Sequence, residues 1–262
     1  MTTAVETAAR ENQQLIDELW DFADAAASQE RFRAAADLAP GQRHDVLLTQ
    51  AARALGLLGQ FDDALAELDG LTSAAVRDVA APEVELAVRV LLERGPVLNS
   101  SGSPADARPL LEAAYERASS AELEHLAIDA LHMVAIIAPA DEQVAHTERA
   151  RTLASRASDP RARDWRASLL NNVGWARFEA GEYEAALPLF TEAVEERIGQ
   201  GKAREIGVAR WSVGRTMRAL GRNDEALAAQ GSAPCLDICG RHQRLVRRGG
   251  DRRMPGRPWP AR

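Results

Sequence analysis

The chain has 262 residues, of which 46% are hydrophobic, 27% are charged and only 5% are aromatic, and its formal net charge is −7. This balance is that of a globular protein, and the abundance of alanine, leucine, glutamate and arginine favours an all-α fold. Residues 231–262 contain eight arginines and two acidic residues, so the preceding residues form an acidic body, which argues against nucleic acid as its partner.

The N-terminus and the cysteines predict a cytoplasmic protein. The first ten residues have no basic start and no long apolar stretch, so they do not resemble a secretory signal. The longest apolar run, about Met133 to Ala140, is far shorter than the roughly 20 residues of a membrane span. Both cysteines, Cys235 and Cys239, lie near the C-terminus, so we expect no disulfide framework in the body.

Residues 1–42 are predicted to form N-terminal capping helices. Residues 11–37 carry a wide apolar stripe at helical spacing, which indicates one or two helices that lead into the rest of the fold. The stripe consists of Leu15, Ile16, Leu19, Trp20, Phe22 and Ala23.

From residue 43 onward one unit recurs: an amphipathic helix, a glycine turn, and a second amphipathic helix with alanines on its inner side. The clearest copy runs from Arg166 to Glu196. Its first helix has Leu170, Val173 and Gly174 on one face, and Gly181 permits the positive φ of a tight turn. The apolar face of its second helix consists of Tyr183, Ala186, Leu187, Phe190 and Ala193.

Four further copies share this layout. Two earlier ones turn at Gly59 and Gly102, and a third, from Ala121 to Ala157, replaces the glycine turn by Ala138-Pro139-Ala140, where proline ends a helix. In the fifth copy Gly214, Gly221 and Ala226 correspond to Gly174, Gly181 and Ala186. Small residues at helix crossings permit close approach, and because one hairpin cannot bury its apolar face alone, the hairpins must stack.

The segment NNVGWARFEAGEYEAALPLFTEAVE resembles the tetratricopeptide repeat (TPR), in which asparagine, an aliphatic residue and glycine precede a G-x-Y/F turn and an alanine-rich helix. The resemblance covers residues 43–230 in about five hairpins and implies a right-handed α-solenoid of antiparallel helix hairpins. Since the spacing between turns exceeds the usual repeat, it implies the long-repeat type of bacterial regulators. Arg177 stands where the family often has an aromatic residue, with Phe178 next to it, which predicts altered local packing.

The resemblance also implies a binding site, because the first helix of each hairpin lines a concave groove that binds a peptide or helix. Tryptophan and arginine are residue types that anchor interfaces. An alternative interpretation is that the tryptophans pack between repeats, as large aromatic residues are mostly buried. The implied groove residues are Asn171, Trp175 and Phe178 in the fourth copy, Trp211, Arg215 and Arg218 in the fifth, and His132 in the third.

One subset of the family uses a carboxylate clamp to bind chaperone tails, and this sequence lacks it. Asn172 matches one clamp residue. Val208 and Ser212 stand where two basic residues would be, and Ile128 replaces another. We therefore do not expect this chain to bind chaperone tails.

The sequence predicts no metal site, no cofactor and no enzymatic activity. No histidine lies beside a plausible nucleophile, and no phosphate-binding glycine loop or nucleophile elbow is present. Cys235, Cys239 and His242 offer three ligands, whereas a structural zinc site takes four. The predicted function is a protein-interaction scaffold; the alternatives are a ligand-sensing segment of a larger signalling or transcription regulator, and an enzyme whose site no motif reveals.

Residues 231–262 form a basic segment rich in glycine, proline and arginine. Three interpretations are open: a disordered tail, a shifted reading frame or truncation, and a polybasic arm for nucleic acid or anionic membrane. The last helix starts near Asn223 and meets Gly231 after eight residues. If the frame is shifted, Val213, Met217 and Leu227 lack cover, which predicts self-association through an uncapped C-terminal repeat.

Overall fold

The computed structural model describes residues 4–75, 84–201 and 203–231. Within these ranges the regular structure is entirely helical, and no helix there is long and apolar enough to cross a bilayer. The twelve helices of the described residues are α1 (Ala4–Leu19), α2 (Ala25–Leu38), α3 (Gln42–Leu57), α4 (Phe61–Ala75), α5 (Val84–Ser100), α6 (Pro104–Ser120), α7 (Glu124–Ile137), α8 (Ala140–Arg156), α9 (Pro160–Glu179), α10 (Tyr183–Gly199), α11 (Ala203–Ala219) and α12 (Asn223–Gly231).

The helices pack as sequential antiparallel pairs, which confirms the predicted all-α hairpin fold. Second helices also pack along the first helix of the next pair within a unit: α2 on α3, α4 on α5, α6 on α7 and α10 on α11. First helices contact one another in the series α3, α5 and α7. The chain divides into two compact units, Met1–Arg163 and Asp164–Arg262.

The predicted turns are confirmed by the backbone. Gly59, Gly102, Gly181 and Gly221 have φ values of 78°, 97°, 78° and 76°, in the left-handed region that glycine enters without steric cost. Pro139 directly precedes α8, as predicted for the copy that has no glycine turn. Four of the five predicted hairpin turns therefore contain a glycine with positive φ, and the fifth contains Pro139.

Close helix crossings explain two other glycines. A Cβ atom at Gly174 would lie 2.7 Å from Cε1 of Phe190, and one at Gly95 would lie 2.5 Å from Cδ2 of Leu111. Phe190 and Leu111 are fully buried. A small residue on the first helix thus creates the space that a large side chain of the second helix fills.

Each unit has its own buried core. In the first unit one apolar cluster includes Leu92, Leu111 and Val134, and another includes Phe32 and Val46. In the second unit a cluster contains Trp175, Ala186, Phe190 and Val213. These positions follow the apolar faces that the sequence shows at helical spacing.

The last described helix, α12, spans 9 residues up to the end of the described part of the chain. The early end that the sequence indicates therefore stays a prediction. Leu227 is exposed, Met217 is half-buried and Val213 is buried. The cysteines and the basic segment lie outside the described residues, so the three interpretations of that segment, and self-association through it, stay predictions.

Candidate functional site

The predicted groove residues of the fourth and fifth copies lie on α9 and α11, the first helices of two consecutive pairs in the second unit. Asn171, Trp175 and Phe178 share one face of α9 because they are spaced by four and three residues. The Trp175 and Trp211 ring centroids are 5.9 Å apart, so the two helices meet at these side chains. The corresponding face of α11 consists of Trp211, Arg215 and Arg218.

Arg215 is the centre of this arrangement. Its guanidinium carbon lies 5.5 Å from the ring centroid of Trp175, 5.3 Å from that of Phe178 and 5.4 Å from that of Trp211. Each distance is within the range of a cation–π interaction, worth about 0.5–1 kcal/mol at an exposed site. Three rings therefore restrict the orientation of an exposed arginine.

The four side chains differ in exposure. Trp175 is only 9% exposed and packs edge-on against Phe190, with centroids 5.1 Å apart, so it belongs to the core of the unit, as the packing alternative expects. Phe178 and Trp211 are half-buried, whereas Arg215 is exposed. The surface that a partner can contact is consequently formed by Phe178, Trp211 and Arg215, with Trp175 beneath them. We call these four residues the aromatic face.

Two of the remaining predicted residues lie at the edges of the aromatic face, and the third lies in the other unit. Asn171 is half-buried one turn before Trp175, and Arg218 is exposed one turn after Arg215. His132 is half-buried on α7 in the first unit. A binding role for each of the seven residues stays a prediction.

Polar contacts hold α9 against α10 and so position the aromatic face. Arg197 Nη2 donates to Ser168 Oγ at 2.7 Å, and Arg166 Nη2 lies 2.8 Å from Glu196 Oε1. Burial lowers the pKa of Arg197 from its ordinary value, although nearby carboxylates oppose that shift. These contacts tie the long second helix to the helix that carries Trp175.

The altered packing expected at Arg177 has a local explanation. Arg177 points to a turn residue, with Nη1 2.7 Å from Glu182 Oε2. The ring of Phe178 takes the aromatic contacts instead, with centroids 5.2 Å from Trp175 and 5.0 Å from Tyr183. The aromatic position of the repeat is thus supplied by the next residue along the helix.

A second polar feature, which no sequence motif indicated, lies in the first unit. Glu85, Arg89 and Glu93 follow one another at four-residue intervals on α5, and each is only 2% exposed. Their four-residue spacing was a signal in the sequence, but nothing local indicated that they would be buried. In the described part of the chain, no group of three or more His, Cys, Asp or Glu residues could hold a metal ion.

Comparisons with known proteins place the fold. No protein-family model matches the sequence, and no curated protein matches it. The crystal structure of BtubC (BKLC) from P. vanneervenii aligns with a TM-score of 0.55 and 16% identity over 98% of each chain. Two structures of the nearly identical TPR-like repeats of a kinesin light chain from Podosopora anserina each align over 77% of this chain. One has a TM-score of 0.53 and 15% identity, with 95% of its own length covered. The other has a TM-score of 0.52 and 16% identity, with 96% of its own length covered.

At these identities the likeness concerns the fold alone. It shows that the chain has a TPR-like repeat fold, which confirms the coarser part of the resemblance seen in the sequence. The long-repeat bacterial type stays a prediction.

Proposed function

We propose that the chain is a protein-interaction module that binds a peptide or helix of a partner protein at the aromatic face. TPR-like repeat folds commonly serve as interaction modules and are typically non-catalytic. The observation that carries the proposal is the exposed Arg215 guanidinium held among the rings of Trp175, Phe178 and Trp211. Within this proposal the module works in the cytoplasm, without catalysis, metal or cofactor.

The chemistry of this face favours a carboxylate on the partner. A guanidinium stacked on aromatic rings keeps its in-plane donors directed outward, which suits bidentate binding of a carboxylate. Arg218 follows three residues later on the same helix and adds positive charge. Trp211 and Phe178 offer half-buried apolar surface beside the charge. The proposed ligand is therefore a segment with an acidic residue next to apolar ones.

The experiment is a selection of displayed peptides on the purified full chain, followed by measurement of Kd for the enriched sequences by fluorescence anisotropy. Arg215→Ala and Trp211→Ala should each weaken binding about tenfold or more, as expected for central interface anchors. Arg215→Lys should lose a smaller part of the affinity, because it keeps the charge but not the planar fork.

The matched control is Arg222→Ala. Arg222 is an exposed arginine after α11, and its Nη2 lies 2.6 Å from Glu225 Oε2. This variant should bind the selected peptides as the wild-type chain does. Equal affinities for wild type, Arg215→Ala and Trp211→Ala would refute the assignment of binding to the aromatic face.

A further inference from the structure

Helix α5 carries a charged stripe formed by Glu85, Arg89 and Glu93. Oppositely charged residues at four-residue spacing are typical of a solvated helix face, where such pairs stabilise the helix. Glu85 Oε1 accepts from Arg89 Nε at 2.8 Å, as expected for such a face. All three residues are nevertheless 2% exposed, so another part of the chain covers a face with the chemistry of a surface.

Glu93 contacts Gln50 and Arg53 of α3. Helix α1 reaches Glu85 and Arg89. Its buried residues are Ala9, Asn12, Gln13 and Ile16, which we call the α1 anchors. Relative to the first, they follow at spacings of three, four and seven, so they form one stripe along the helix. This is the pattern by which an amphipathic helix binds in a groove of another protein.

The two central anchors contact the charged stripe through their amides. Asn12 Nδ2 donates to Glu85 Oε2 at 2.8 Å, and Arg89 Nη2 donates to Gln13 Oε1 at 3.1 Å. Arg43 on α3 donates from Nε to Asn12 Oδ1 at 2.9 Å. Both ends of the Asn12 amide are therefore bound by charged partners, which gives these contacts strength and selectivity.

The outer anchors insert into apolar clusters. Ala9 belongs to the cluster that contains Leu92 of α5 and Leu126 of α7. Ile16 belongs to the cluster that contains Val46 of α3. A helix of 16 residues is about 24 Å long, and neighbouring helices pack about 8–10 Å apart, so α1 is long enough to cross three first helices.

Arg161, next to the start of α9, holds the outer side of α1. Its Nη1 donates to the backbone carbonyl of Arg10 at 2.7 Å, and its Nε lies 3.4 Å from Asp17 Oδ2. Helix α1 is thus bound by Arg43 of α3 and by Arg161 in the first turn of α9. It does more than cover the end of the first hairpin.

The composition of this contact indicates that it can dissociate. A permanent core contact would place large apolar side chains opposite one another, but the centre here consists of amides, carboxylates and guanidinium groups. Because Glu85 and Arg89 pair with each other and can be hydrated, the surface beneath α1 tolerates exposure to water. Interfaces that form and dissociate are similarly polar.

We propose that the face of α3, α5 and α7 beneath α1 is a second helix-binding surface, that α1 is its intramolecular ligand, and that a partner helix with the same anchor pattern takes its place. The partner helix carries a small apolar residue, two adjacent amides and an aliphatic residue at the spacing of the α1 anchors. The inference rests on the proposed function, because both assume that the repeats bind a segment of a partner protein. It concerns residues of the first unit, whereas the aromatic face lies in the second.

The test uses the full chain and a fluorescent synthetic peptide of residues 4–20. In the wild type the tethered α1 competes at high effective concentration and the peptide binds weakly. The double variant Asn12→Ala/Gln13→Ala weakens its own α1, so it should bind the unaltered peptide at least about tenfold more tightly. A peptide that carries the same two alanines should lose most of that gain.

The matched control is Gln14→Ala, in the chain and in the peptide. Gln14 is an exposed amide on α1, and its Nε2 donates to Glu18 Oε1 at 3.3 Å. This change should leave peptide affinity unaltered. Hydrogen exchange provides the second readout: the double variant should lose protection in α1 while α6 and α7 keep theirs, which also shows that the variant is folded.

A measurement on the wild type keeps the inference testable if the double variant does not fold. Excess peptide should accelerate exchange of the α1 amides without affecting α6. Unchanged α1 protection at saturating peptide, or equal peptide affinity of the folded double variant and the wild type, would overturn the inference. The proposed function can fail while this inference holds. That outcome is an Arg215→Ala variant with unchanged affinity for displayed peptides in a chain whose α1 is still displaced by the 4–20 peptide.

Discussion

Substitution of Gly174 by alanine tests the close crossing of α9 and α10. The added Cβ would lie 2.7 Å from Cε1 and 2.9 Å from Cδ1 of Phe190, closer than real Cβ contacts allow. Phe190 is fully buried, and its ring also packs against Trp175, so it has no open space to enter. The helices must therefore separate, or the ring must leave its rotamer.

Two opposing terms decide the magnitude. Glycine to alanine inside a helix favours folding by about 1 kcal/mol through backbone propensity. Overpacking a filled core costs about 1–3 kcal/mol. Because the overlap involves several ring atoms, we expect the second term to be larger, with a net loss of up to about 2 kcal/mol in the free energy of unfolding.

Gly207→Ala is the matched control. It lies in helix α11 of the same unit, and a Cβ there would meet nothing within 4 Å. Only the propensity term applies, so this variant should gain about 0.5–1 kcal/mol. Urea denaturation, followed by circular dichroism, should therefore show a lower unfolding midpoint for Gly174→Ala than for the wild type. It should show a higher midpoint for Gly207→Ala.

Phe190→Leu provides a further check on the cause. If the ring is the obstacle, Gly174→Ala should cost less in the Phe190→Leu background than in the wild type, as a double-mutant cycle measures. A Gly174→Ala variant as stabilised as Gly207→Ala would refute the crossing geometry. Equal costs in both backgrounds would show that Phe190 is not the obstacle.

Three further predictions concern caps and carboxylates. Asp24 Oδ1 accepts a backbone N–H at 3.0 Å at the start of α2, so Asp24→Ala should cost about 1 kcal/mol in thermal unfolding. Burial raises the pKa of Glu67 despite Arg33, so Glu67→Gln should be more stable than the wild type at pH 7. This difference should shrink as the pH falls through the raised pKa and be gone below the ordinary carboxyl range. For Glu124, burial is outweighed by hydrogen bonds from residues 158–159 and the pKa is lowered. Because solvent screens this partly exposed carboxylate, Glu124→Gln should lose less than about 1 kcal/mol at pH 7, and the gap to the wild type should close as the pH falls through the lowered pKa.

The hairpins were predictable because their determinants are local. The positive φ at Gly181 and Gly221 and the break at Pro139 follow from residue chemistry within a single turn. The predicted apolar stripe near the N-terminus was only partly informative. It included Ile16, but the amides Asn12 and Gln13 are buried as well, and their partners on α5 lie more than 70 residues away along the chain.

The candidate site divides in the same way. Helical spacing placed Trp211 and Arg215 on one face, and the contacts of Arg215 with three rings agree with that placement. The burial of Trp175 depends on Phe190 of the following helix and on the neighbouring α11, so it could not be read from α9 alone. Local patterns determine helix faces, whereas burial depends on tertiary packing.

The most direct test of partner binding follows the indole N–H signals of the five tryptophans by NMR during titration with a selected peptide. Binding at the aromatic face should shift the Trp211 signal with saturation at one peptide per chain, and Arg215→Ala should need about tenfold more peptide for the same shift. Saturable binding that leaves the Trp175 and Trp211 signals unchanged would contradict the account.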